Sequence, residues 1–128
     1  MRVIQRSDLP EERLPGRVIQ KAVGKDAFSK SEKMTMGFGS YSERSGPMEP
    51  HRHAEEIVYI VSAKKAAVRR GPSRDDMNVS VPLKTGMTLH FPELEWHVFE
   101  YGKGGRLDII FFYGQVDNIR PEEILQKS

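Results

Sequence analysis

Between Arg17 and Tyr113 the apolar residues come in short runs, and a glycine, a proline or a charged pair closes nearly every one. A chain punctuated in this way reads as eight or nine short strands joined by turns, which points to a sandwich or barrel. Strands are expected at residues 17–23, 34–41, 56–61, 66–70, 79–83, 87–91, 97–101 and 107–113. Turns are expected at Ser45-Gly46-Pro47, Lys64-Lys65, 71–76, Thr85-Gly86 and Gly102-Lys103-Gly104-Gly105. In residues 34–41, Met36 and Phe38 fall on one face and Gly37 and Gly39 on the other, where the glycines admit a close neighbour. One helical turn is expected at 8–14, with Asp8 as N-cap and Glu11 closing a capping box, and a short terminal helix at 121–127. At 128 residues the chain fits a single domain, 1–128, long enough to bury a core.

One stretch inside this pattern carries chemistry. Pro50-His51-Arg52-His53-Ala54-Glu55-Glu56 sets two histidines two residues apart with acids directly after, and Ile57-Val58-Tyr59-Ile60-Val61 follows. Side chains two apart on a strand share a face, so the two imidazoles project together from backbones roughly 6.6–6.8 Å apart. That spacing lets both reach one metal ion through bonds of about 2.0–2.2 Å, and a carboxylate from the next strand makes a further ligand. Two ordinary hydrogen-bonded histidines are the alternative, and a lone His-x-His does not decide between them. The chain has no cysteine, so disulfides and thiolate ligands are excluded.

A second short motif lies around His97, and together the two resemble the cupin superfamily of small β-barrels. The family's first motif runs glycine, His-x-His, glutamate, glycine; here Gly46, His51, His53, Glu56 and Ala63 stand in those places. Its second runs glycine, Pro-x-Gly, histidine, asparagine; here these are Gly86, Pro92-Glu93-Leu94, His97 and Tyr101. The chain departs from the pattern at Ala63, Leu94 and Tyr101, and the spacings from Gly46 to His51 and from His53 to Glu56 are short. The short second spacing leaves Glu55 as a rival to Glu56. The resemblance spans about residues 34–113 and implies an all-β double-stranded β-helix, a jelly-roll barrel, here with a short C-terminal helix. It also implies that His51, His53, Glu56 and His97 converge on one divalent transition metal. Three imidazoles and a carboxylate suit Fe, Mn, Ni, Co, Cu or Zn without choosing among them.

Other residues carry weaker expectations. Phe99 and Tyr101 share a strand face with His97, so they either line a substrate cavity beside the metal or pack in the core. His90, in the preceding strand, is expected to support the site or face solvent. Arg52 is expected on the face opposite the ligands, in a salt bridge, and Trp96 over the site or at a subunit interface. Lys64, Lys65, Arg69, Arg70 and Arg74 read as a strand edge guarded by charge. With 20 basic and 18 acidic residues the net charge is +2, which argues for no polyanionic partner and against nucleic acid. Gly102-Lys103-Gly104-Gly105 is a phosphate loop in composition only, since a strand and no helix follows it.

The resemblance implies a metal-dependent enzyme acting on a small polar molecule: a sugar derivative, a carboxylic acid or an oxygenated aromatic. Dioxygenase, isomerase, decarboxylase and lyase chemistry all fall within it; a non-catalytic module binding a small ligand or metal is the alternative. A homodimer is expected, with strand 17–23 extending a partner's sheet. The N-terminus lacks a signal-peptide core and no apolar run approaches the ~20 residues of a membrane span, so a cytoplasmic protein with no membrane partner is expected.

Overall fold

Alternation decides which side of each strand faces inward. A computed structural model, which describes residues 1–114, has eight strands: β1 (Glu12–Leu14), β2 (Arg17–Gly24), β3 (Ser29–Lys30), β4 (Thr35–Ser42), β5 (Glu56–Gly71), β6 (Val79–Pro82), β7 (Thr88–Phe91) and β8 (Trp96–Tyr113); β4 and the first part of β5 alternate most regularly. On β4 the inward positions are Gly37, Gly39 and Tyr41; on β5 they begin with Glu56, Val58 and Ile60. The glycines on β4 make room for β8, because a Cβ at Gly37 would lie 2.6 Å from Phe111 and one at Gly39 would lie 3.1 Å from Ile109. The expected close approach at these glycines is therefore made by side chains of the neighbouring strand.

The strands form one hydrogen-bonded path, β1-β2-β4-β8-β5-β6, with β3 added on β2 and β7 on β5. The two long strands bend this path into facing layers. Residues 106–113 of β8 pair with β4 on one side and with 56–64 of β5 on the other, while residues 96–101 pair with 66–71 of β5. Side chains of both layers meet in one core that includes Tyr41, Val58, Ile60, Phe91, Phe99, Leu107 and Ile109. The architecture is an all-β jelly roll, and its sheet is not closed into a full barrel among the described residues.

Several expectations are corrected here. Lys64-Lys65 and 102–105 are not hairpin turns: both strands continue through them, with Lys64 opposite Arg106 and Ala66 opposite Tyr101. The extra residues of β8 bulge out opposite Lys65, whose φ is +51°, and the bulge needs its glycines. A Cβ at Gly105 would meet the carbonyl oxygens of Gly102, Lys64 and Lys65 at 2.8–3.0 Å. A glycine-rich cluster signals a turn and a bulge equally well, so composition alone misplaced the chain reversal. In place of a helical turn at 8–14, a short 3-10 turn forms at Arg6–Asp8 and β1 follows. β2 pairs with β1 over Arg17–Ile19 on one edge and with β4 on the other. The expected helix at 121–127 lies outside the described residues. No helix among the described residues is long and apolar enough to cross a membrane.

Candidate metal centre

The histidines come together because two strand ends are tied across the molecule. His51 and His97 exchange both backbone hydrogen bonds, at 3.0 and 2.9 Å, and the Leu94 amide donates to the His53 carbonyl at 2.8 Å. His51 is held by this single bridge, and His53 lies in the irregular turn that leads to β5, so the expected regular strand through both is not formed. Leu94 occupies the place of the turn glycine in the second motif, and its φ of +66° is the left-handed conformation such a turn requires.

His51, His53 and His97 each present a ring nitrogen within 4.8 Å of the other two. His53 and His97 are buried, with 4% and 1% of their surface exposed. The remaining hydrogen bonds set the ring chemistry. His51 Nδ1 lies 3.0 Å from the Glu49 carbonyl, His53 Nδ1 lies 2.8 Å from that of Ala54, and His97 Nδ1 lies 2.9 Å from that of Glu95. A carbonyl only accepts, so each Nδ1 carries the proton and each neutral ring turns its Nε2 lone pair toward the others. His97 Nε2 and His53 Nε2 are 3.1 Å apart. Two lone pairs at that distance repel unless a cation lies between them, and two nitrogens at right angles on one ion with ~2.1 Å bonds are separated by about 3.0 Å. The donor set and its spacing therefore fit a metal ion, with the rings oriented from behind as metal-bound imidazoles usually are.

Electrostatics keep His97 neutral. Burial holds the His97 pKa down to about 2, with the adjacent His51 and His53 adding to the effect. Phe91 lies under the His97 ring, with centroids 4.1 Å apart and planes inclined by 28°, and Tyr113 meets the His53 ring edge-on at 5.7 Å. Neither aromatic was singled out from the sequence. Phe91 shares the inward face of β7, and Tyr113 that of the apolar strand 107–113, which is the signal that could have found them.

The two candidate carboxylates separate cleanly. Glu56 is an inward position of β5, only 6% exposed, and its Oε1 lies 3.5 Å from His53 Nε2. It falls outside the tight set of three imidazoles but borders it. Burial raises the Tyr41 hydroxyl's pKa, and the charge of Glu56 raises it further. Glu55 points outward and pairs with His90 at 2.6 Å, both side chains being more than half exposed. His90 stands opposite Ile57 on the outer face, so the structure does not bring it to the cavity; the alternation of β7 gives the inward places to Leu89 and Phe91.

Phe99 packs between Tyr41 and Phe91 in the core, at ring-centroid distances of 5.1 and 6.2 Å. With Tyr101 it also walls a groove of about 810 Å³ running away from the His51–His97 bridge. Continued pairing would set Glu49 opposite Phe99 and Pro47 opposite Tyr101. Pro47 has no N–H to give and the Glu49 carbonyl is turned to His51, so the chain leaves the strand edge. The Tyr101 hydroxyl reaches across the gap to donate to the Gly46 carbonyl. Arg52 stacks on the Trp96 ring, 5.1 Å from its centroid, instead of joining the expected salt bridge.

No protein-family model and no curated protein matches the chain. Solved structures do match. A protein from Planctomyces limnophilus aligns at TM-score 0.70 and 18% identity over 94% of both chains. The polyketide cyclase RemF from Streptomyces resistomycificus aligns at TM-score 0.71 and 17% identity, over 98% of this chain and 93% of its own. Fe(II)-HppE with an alternative substrate aligns at TM-score 0.61 and 14% identity, over 88% of this chain and 59% of its own. At these identities the likeness establishes architecture, and the architecture is the cupin fold.

Proposed function

We propose that this cupin-fold chain holds one divalent transition metal on His51, His53 and His97 with Glu56 as fourth ligand, and catalyses a reaction of a small oxygen-bearing molecule. The observation that carries the proposal is the convergence of three Nε2 lone pairs whose Nδ1 protons are all committed to carbonyls. Four protein donors leave room on a six-coordinate ion, and such an ion supplies Lewis acidity or activates water or dioxygen. The chain's own residues supply the rest. Phe91 and Tyr113 flank the ligand rings, making the inner wall apolar, so a polarised substrate oxygen is less screened by water. Tyr41, held protonated by burial, provides a neutral hydroxyl near the Glu56 carboxylate.

Two structural relatives support chemistry over storage: one is by name a polyketide cyclase, and another is an Fe(II) protein with a bound substrate. An oxygenated aromatic or a carboxylic acid that chelates through two oxygens is the substrate class this favours, with dioxygenase, isomerase, decarboxylase and lyase reactions as the candidates. The test is to load the protein with Co(II) and titrate catechol and oxalate separately while recording the visible spectrum. Saturable spectral change with at least one chelator, absent in His97→Ala, is expected. A Co(II) spectrum that neither chelator perturbs would mean a closed, non-catalytic centre and would overturn the proposal.

A further inference from the structure

In the middle of β5 and β8, beside the glycine bulge, the outer face of the sheet gathers the cations Lys64 and Arg106. Leu107 is an inward position, so its neighbours Arg106 and Asp108 face out. The register sets Arg106 between Ser42 on β4 and Lys64 on β5, and Asp108 between Ser40 and Ser62. Lys64 and Arg106 therefore stand directly opposite one another on adjacent strands, a like-charge pairing that weakens a sheet unless something neutralises it. Arg44, in the turn after β4, lines the same groove of about 550 Å³ as Arg106, Ser42 and Ser62.

The nearby anions have other hydrogen-bond donors, and the charge of Arg106 also acts on Asp108. Asp108 accepts both terminal guanidinium nitrogens of Arg6 at 2.8 and 3.0 Å, and the Ser40 hydroxyl at 2.8 Å. Glu43, also in the groove wall, accepts the Gly104 amide at 2.8 Å. Among the described residues no ion pair joins Lys64, Arg44 or Arg106 to a carboxylate. The contrast with the rest of the basic stretch is informative. Arg69, Arg70 and Arg74 each meet a glutamate, and Lys65 reaches the Lys103 carbonyl; Lys64 stands opposite a second cation, Arg106. The glycine bulge beside it keeps the rim free of side chains, and nothing lies within 4 Å of where a Cβ of Gly104 would be.

We propose that this groove binds a phosphate group on Arg106 and Arg44, which line it, with the Ser42 and Ser62 hydroxyls as additional donors and Lys64 reaching in from the strand position opposite Arg106. A guanidinium matches phosphate oxygens with two parallel hydrogen bonds, lysine adds a point charge, and the groove's volume suits a small phosphorylated molecule. The site is separate from the metal centre and does not depend on it.

The test measures thermal melting and calorimetric binding at constant ionic strength, with inorganic phosphate, glycerol phosphate and a sodium chloride control. Saturable binding and a raised melting temperature are expected for the phosphate probes and not for chloride. Arg106→Gln is expected to melt higher than wild type without phosphate, because the repulsion is gone, and to lose at least tenfold in phosphate affinity. Lys64→Gln provides the same readout if Arg106→Gln does not fold. His97→Ala is expected to keep the phosphate response, which separates this groove from phosphate bound at a metal. Tighter binding of the monoester would identify a phosphorylated metabolite as the ligand, and equal binding free phosphate; both support the site. A response matched by chloride, retained in Arg106→Gln, or lost in His97→Ala would overturn it.

Discussion

Each of the three converging histidines gives its Nδ1 proton to a carbonyl no more than two residues away, so the tautomer is set locally while convergence is set by the fold. The consequence is measurable in the metal-free protein. His97 titrates at about 2 when folded, against an ordinary value near 6.5, because burial and then its two histidine neighbours oppose its charge. The unfolded chain therefore binds the proton first as pH falls. Stability is complete above about pH 6.5 and declines below it by up to about 1.4 kcal/mol per pH unit. Urea unfolding of metal-free protein at pH 7.5 and 5.5 is expected to show this decline, and His97→Gln to flatten it. An equal decline in the variant would remove His97 as the cause. Phe91 tests the support behind the ligand. Phe91→Leu keeps an apolar filler but not the flat ring under His97, and is expected to weaken metal binding by about tenfold in chelator competition while the fold persists. An unchanged affinity would make Phe91 core packing only.

At the scale of elements, two backbone devices hold the site, and they differ in kind. Leu94 has a left-handed backbone, φ +66°, at a turn where glycine would be unstrained, and its side chain is 40% exposed. Leu94→Gly is expected to stabilise the protein by about 0.5–1 kcal/mol in chemical denaturation; a loss of stability would mean that the Leu94 side chain packs the turn more than its backbone strains it. Gly105 is the opposite case, with three carbonyl oxygens at 2.8–3.0 Å from any Cβ. Gly105→Ala is expected to cost about 1–3 kcal/mol, and a neutral result would show that the bulge yields easily. These same places mark how far the sequence could be read. Two-residue alternation and turn residues located most strands and the all-β class. The His-x-His spacing with a second histidine motif pointed to the three residues that converge. What they did not reveal was the path between strands: Lys64-Lys65 and the glycines at 102–105 have the composition of turns, and only the pairing of both flanks with one partner shows a bulge. Glu56 takes the ligand place by its position in the motif, and Glu55 stays a rival for a related reason. Their faces depend on where β5 begins, and a one-residue shift exchanges them.

For the whole molecule, the two proposed sites lie apart along the long strands, one by their ends and one at their middle. Glu56 opens β5 beside the histidines, and Lys64 sits at the bulge where β5 passes into the second layer. The N-terminal segment is clamped over the sheet between them, with Arg6 bound to Asp108 and lying 4.7 Å over the Phe38 ring. An apolar core of both layers holds the metal-side loops against the sheet, so the triad is a property of the assembled fold and not of either motif alone. The metal proposed on His51, His53 and His97 should accompany the protein through purification. Elemental mass spectrometry on protein purified without an affinity tag or chelator tests it most directly, with His51→Ala and His97→Ala measured alongside. Close to one transition metal per chain, lost in both variants, is the predicted result; wild-type protein with negligible metal and no uptake on reconstitution would contradict it.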